Sequence, residues 1–186
     1  MNIVLLPRRS TLPTLTTDYL VELLTRYVAE TDTPVDLLLV GALALRAYGV
    51  PDRATRDVDG ELQGDLTPLL EYLRAQKIPA DLTQNFSGWS VVAMPPGYRT
   101  RAIDLINQPH LRIRVLSPVD FVIAKLRRGI EIDLDDAFLV AQHQHLSADT
   151  IQRSAQAALT ASPQDTALFL FRKTVDLFCK SLTSSQ

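Results

Sequence analysis

The run Leu37-Leu38-Leu39-Val40, followed at once by Gly41, sets the tightest limit on the fold. Four consecutive apolar side chains without polar alternation describe a strand covered on both faces. Such a strand needs a layer above and a layer below it, which commits the chain to a sheet flanked by helices. The neighbouring sequence supplies them. Residues 18–30 repeat Leu20, Leu23, Leu24, Tyr27 and Val28 at helical spacing, and residues 42–48 read as a helix stopped by Gly49. After a turn rich in Pro51, Asp52 and Arg53, a second strand is expected over residues 57–62.

Further on, Leu66, Leu69, Leu70 and Leu73 mark another helix, closed before Pro79. Two apolar stretches, 89–94 and 101–106, are parted by Pro95-Pro96-Gly97 and read as a hairpin, with 111–116 as a further strand. Ser117-Pro118-Val119-Asp120 opens a helix: serine caps, proline suits the first position, and aspartate reaches back from the third. Gly129 ends that helix. Helices are then expected over 133–143, over 148–159 and from Pro163, where Ser162-Pro163-Gln164-Asp165 repeats the capping pattern. The fold class is therefore α/β (α+β), a mixed sheet flanked by helices with a helical C-terminal half. The expected division is a core over 1–116, including the N-terminal helix, and a helical part over 117–186 packed on it. A chain of 186 residues, 46% hydrophobic, has enough apolar material for one such core.

Charge gives little direction as a total, since the net value is −2. Its distribution is uneven. Between 99 and 128 stand Arg99, Arg101, Arg112, Arg114, Lys125, Arg127 and Arg128 against Asp104 and Asp120. Two readings stay open: attraction for a phosphate-bearing ligand, or the solvated face of a strand pair. The single Cys179 excludes an internal disulfide and a thiolate cluster, and its apolar helical setting points to packing. His143 and His145 fall at a helix end, where interaction with terminal carbonyls is the expected role rather than zinc. The apolar run 3–6 is too short for a signal peptide, and no run reaches the ~20 residues of a membrane span. The expected location is cytoplasmic.

The chemistry is carried by acids. Within a strand, Asp57 and Asp59 project to one face while Val58 turns to the core. Two adjacent carboxylates repel and favour a cation, and hard oxygen ligands of this kind suit Mg²⁺ held together with substrate phosphates. A third acid, Asp104, stands among Ala102, Ile103, Leu105 and Ile106, a setting that calls for pairing or a metal. If its strand neighbours the first pair, three carboxylates can hold two metals for in-line attack of a hydroxyl on a nucleotide α-phosphate. The alternative is an ion pair from Asp104 to Arg99 or Arg101 across a turn.

The order Gly41-Ala42, a helical stretch, Arg53, Thr55, then Asp57-Val58-Asp59 resembles the signature of the polymerase-β-like nucleotidyltransferases. It resembles more narrowly their AbiEii-type branch, which includes toxin–antitoxin enzymes. That branch also shows a lysine–leucine pair followed by two spaced aspartates, matched here by Lys125-Leu126 and by Asp133 and Asp136. The resemblance covers residues 35–140. It implies that Asp57 and Asp59 bind metal, that Asp104 completes the set as general base, and that Lys125 contacts nucleotide phosphates. Gly41, Ala42, Arg53 and Asp133 belong to the implied nucleotide site. Read on their own, Lys125 is equally a snorkelling lysine, and Asp133 and Asp136 share a helix face near its N-terminus. Arg53 and Arg56 either steer phosphate or pair with nearby acids.

One position departs from the pattern. Ala42 stands where the branch has glycine or serine, which keeps the helix N–H groups but removes a hydroxyl from the triphosphate cradle. The expected function is Mg²⁺-dependent transfer of a nucleoside monophosphate from an NTP to an acceptor hydroxyl. The resemblance implies RNA, particularly tRNA ends, or a protein as acceptor, and a cognate antitoxin as partner. A small-molecule acceptor such as an aminoglycoside stays open. The competing expectation, motivated by Ala42, is a catalytically silent member that binds a nucleotide or a partner protein.

Overall fold

The computed structural model describes residues 15–51 and 55–184. Helix α1 spans Thr17–Thr31. Thr16 caps it by accepting the Tyr19 N–H, and Leu20, Leu23, Leu24 and Tyr27 form its buried stripe. Strand β1, Val35–Leu39, is followed by a 3₁₀ helix over Ala42–Tyr48 that stops at Gly49. Strand β2 covers Val58–Gln63, helix α2 Thr67–Ala75 and strand β3 Ala80–Thr83. Strands β4, Ile103–Gln108, and β5, Leu111–Val115, form a hairpin. Four helices follow: α3 Pro118–Arg128, α4 Glu131–His143, α5 Ala148–Ala161 and α6 Ala167–Ser184.

The five strands make one mixed sheet in the order β3-β2-β1-β5-β4. The central β1 runs antiparallel to β2 and parallel to β5, and Leu37, Leu38 and Leu39 are all buried, as the unbroken apolar run requires. The unit β2–α2–β3 is a parallel crossover, so β3 lies directly beside β2 with Asp59 opposite Asp81. Tyr27 of α1 and Tyr72 of α2 meet with ring centroids 4.8 Å apart, which ties these two helices together. The 3₁₀ helix is held from two sides. The Thr17 hydroxyl donates to the Leu43 carbonyl at 2.8 Å, and buried Tyr48 donates to the Leu116 carbonyl while its ring packs on Phe121 of α3. One continuous apolar core runs from Leu15 to Leu182 and includes residues of both halves of the chain.

Most elements match the sequence reading, and three differ. Residues 89–94 are not a strand. Val92 and Met94 are buried, but the backbone here is a 3₁₀ turn, Phe86–Trp89, and bends. Its amides go to side chains: Ala93 N–H to Ser162 Oγ, and Met94 N–H to Ser87 Oγ, both at 2.8 Å. The apolar residues reported burial, and side-chain acceptors took the place of a ladder. Strand β4 instead pairs with β5, and β3 occupies a stretch with no predicted strand. The last difference is at Ser162, which terminates α5, donating to the Ala158 carbonyl, while α6 begins at Ala167 with Asp165 accepting its N–H. At α3, by contrast, Ser117 caps as expected, and the fully buried Asp120 receives both the Ser117 hydroxyl and a two-pronged contact from Arg101.

Candidate active site

Asp57 sits one residue before β2 and Asp59 lies on it, so strand alternation turns both to one face while Val58 is wholly buried. Thr55 orients the first of them. Its backbone is tied to Leu15, and its hydroxyl donates to Asp57 Oδ1 at 2.7 Å. Asp59 is set against Gly41. A Cβ at position 41 would stand 2.5 Å from Asp59 Oδ2 and 2.8 Å from its Cβ, so only glycine permits this approach. The glycine of the Gly41-Ala42 pair thus serves the carboxylate site directly.

These two acids line one wall of a cleft of about 530 Å³ together with Asp81, Phe86, Trp89, Ser90, Ala124, Arg127 and Arg128. Asp81 is the third acid of the cleft, brought there by the β2–β3 pairing. Burial pushes the Asp59 carboxyl above its ordinary value. The charges of Asp57 and Asp81 push it the same way, with Arg128 and Lys125 working in opposition. The cleft therefore concentrates negative charge. Among the described residues, however, no three His, Cys, Asp or Glu side chains stand close enough together to hold a metal ion by themselves. Asp57 and Asp59 fit the two-carboxylate share of an octahedral Mg²⁺ shell that phosphate oxygens and water complete.

Asp104 does not join them. It lies on β4 at the opposite side of β1 and β5, about 14 Å from β2 at the usual strand spacing. Arg112 holds it through Nε at 2.8 Å, which keeps its carboxyl below the ordinary value. Asp104 is thus ion-paired, with the cross-strand Arg112 rather than the expected Arg99 or Arg101. An exposed cross-strand pair explains an acid in that run without any metal.

Lys125 is buried, 5% exposed, and its ammonium is caught between Asp133 Oδ1 at 2.8 Å and Asp136 Oδ2 at 2.9 Å. The lysine and the two spaced aspartates are one ion cluster joining α3 to α4. Arg128 Nε approaches the other oxygen of Asp133 at 3.1 Å, without the alignment of a hydrogen bond, and its side chain is 60% exposed in the cleft. Neither Lys125 nor Asp133 lines the cleft; Arg128 does. Gly41 and Ala42 mark the end of β1 and the start of a seven-residue 3₁₀ helix rather than an α-helix. Arg53 lies outside the described residues, and Arg56 is exposed.

The basic excess between 99 and 128 is largely consumed within the fold. Arg99 pairs with buried Glu61, Arg101 with Asp120, Arg112 with Asp104 and Arg114 with Asp36. Arg127 donates to the carbonyls of Val92 and Ser87 and lies 5.1 Å over the Phe86 ring, and burial pulls its guanidinium down to about 10. Apart from Arg128, which lines the cleft, these cations are engaged within the fold.

Sequence reasoning missed Asp81, Trp89 and Glu61. A usable signal existed for the first: the strand after a helical crossover pairs with the strand before it, so an acid following Pro79 falls beside β2. Glu61 continues the Asp57, Asp59 alternation on β2. It accepts the Phe86 N–H at 2.8 Å, the Tyr98 hydroxyl at 2.5 Å and the Arg99 guanidinium, so it fixes the loop that brings Phe86 and Trp89 to the cleft.

No curated protein matches the sequence. A family model does: it spans residues 18–169, taking in the cleft and most of the helical half, and is described as a nucleotidyltransferase of unknown function. The chain belongs to this family, DUF6036.

Proposed function

We propose that the cleft binds an NTP with Mg²⁺ and transfers its nucleoside monophosphate to an acceptor hydroxyl. The observation that carries this reading is the pair Asp57 and Asp59, crowded with Asp81 on one wall of a cleft that also exposes Arg128. The cation, when bound, neutralises the carboxylates and polarises the phosphoryl oxygens. Asp57 and Asp59 hold it, Thr55 fixes the rotamer of Asp57, and Gly41 lets the backbone close on Asp59. In the transfer the acceptor oxygen bonds to the α-phosphorus, the bond to the β-phosphate oxygen breaks, and pyrophosphate leaves. Asp81, beside Asp59, takes the acceptor proton in the role first expected of Asp104. Arg128, held by Asp133, is the cleft-facing cation for the phosphates, while Lys125 fixes Asp133 and adds positive charge near Asp59.

The AbiEii-type reading rests on the Arg53, Thr55, Asp57 spacing and on the coupling of Lys125 to Asp133 and Asp136. It makes RNA or a protein hydroxyl the acceptor, and a toxin role with a cognate antitoxin follows from that branch alone. A second reading, a silent member that binds a nucleotide or a partner protein, is favoured by Ala42 and by the absence of a three-ligand cluster among the described residues. Calorimetric titration with Mg-ATP and Mg-GTP, followed by turnover with each NTP and total RNA, separates the two. Binding with turnover supports transfer; binding without turnover supports a silent nucleotide-binding member, and no binding at millimolar nucleotide sinks transfer and favours the partner-binding form.

A further inference from the structure

We infer that Trp89 is a stacking platform for a nucleobase, a proposal that rests on the nucleotide-binding reading of the cleft. Trp89 lines the same cleft as the carboxylates and remains 41% exposed. A large indole left in water forfeits burial that the core beneath would otherwise reward. Here its position is fixed rather than loose. Phe86, almost fully buried, supports it edge-on with centroids 5.2 Å apart and planes at 74°. Phe86 is itself pinned by its N–H to Glu61 and by the Arg127 guanidinium over its ring, and Arg127 also holds the Ser87 and Val92 carbonyls. Glu61 lies two residues after Asp59 on the same strand, so one element anchors both the acids and the loop that carries Trp89. A preorganised aromatic surface in one cleft with a phosphate-type site is what a nucleotide's two ends require. Stacking accepts any base, so the platform supplies affinity for a base rather than choice among bases.

The stacked base belongs either to the donor NTP or to the acceptor RNA end. Trp89 is the sole tryptophan, so its emission reports directly on occupancy. The wild-type protein is titrated with Mg-NTP, with Mg-tripolyphosphate and with a short oligoribonucleotide, each followed by fluorescence and by calorimetry. Quenching by NTP assigns the donor base and quenching by the oligonucleotide the acceptor base; neither is expected from tripolyphosphate. Trp89→Ala then weakens the quenching ligand about tenfold or more, leaves tripolyphosphate binding unchanged, and is largely rescued by Trp89→Phe. Nucleotide binding by calorimetry without quenching, or equal affinity in Trp89→Ala, overturns the platform while leaving the proposed function intact. Failure of every nucleotide to bind a folded wild-type protein overturns the proposed function, and the platform with it.

Discussion

At the scale of single residues, the central assignment is the division of labour among four aspartates. Asp57 and Asp59 line the cleft and are the proposed metal ligands, Asp81 stands beside them, and Asp104 serves a surface ion pair. Asp104→Asn is expected to leave transfer within about twofold of wild type and to leave the thermal midpoint nearly unchanged, because an exposed pair is screened by solvent. Asp81→Asn is expected to lower kcat far more than KM. Asp59 carries a stability signature as well. Its carboxyl is raised in the folded state, so the folded form binds the proton more tightly, and its contribution to stability is lost as pH rises above 3.8 through the raised value. At neutral pH the ionised group is a cost, so Asp59→Asn should hold or raise the thermal midpoint. Glu61 has the opposite sign. Burial raises its carboxyl, but the bonds from Arg99, Tyr98 and the Phe86 amide outweigh this and leave it lowered. Its contribution is present above 4.5 and fades as pH falls through the lowered value. Urea midpoints measured down the acid limb should therefore show a weaker pH dependence in Glu61→Gln than in wild type.

At the scale of elements, the seam between α3 and α4 is the one most exposed to a single change. Lys125→Met leaves Asp133 and Asp136 buried with a lost counter-charge, and is expected to cost about 3–5 kcal/mol by denaturant unfolding. A cost below about 1 kcal/mol would mean that the cluster opens readily to water. Element type was largely legible in the sequence because it depends on local signals. The unbroken Leu37–Val40 run gave the doubly covered strand, and Ser117-Pro118 with Gly129 bounded α3. Pairing was less legible, because it depends on which strand a crossover delivers to which neighbour. Strand β3 is four residues long with alternating polarity, too short to stand out, and with it went Asp81. The stretch 89–94 has strand-like residues but spends its amides on Ser87 and Ser162, the latter at the end of a helix distant in sequence. The roles of Lys125, Asp133 and Asp136 as one cluster needed the α3–α4 packing, which no local pattern records.

For the molecule as a whole, the shared core is the relevant fact. The expected boundary at 116 separates sheet from helices in sequence, yet Tyr48 donates to the Leu116 carbonyl, packs on Phe121 and receives the Gln144 amide at its own carbonyl. The two parts are therefore predicted to unfold together. Trp89 fluorescence reports the sheet-side loop and far-ultraviolet circular dichroism is dominated by the helices, so the two melting curves should coincide. Separated transitions would contradict a single cooperative unit. None of the helices among the described residues is long and apolar enough to cross a membrane. The cleft combines acids on β2 and β3 with Arg128 of α3, so the sheet and the helical half both contribute to the chemistry proposed for it.

The most direct test is a labelling assay with the purified protein, Mg²⁺, each α-labelled NTP in turn and total RNA, run beside the Asp57→Asn/Asp59→Asn double variant. The account predicts label on RNA or on protein with at least one NTP, lost by about 10³-fold or more in a double variant that melts no earlier than wild type. Label that persists in that folded variant, or no label from any NTP with the wild-type protein, would contradict it.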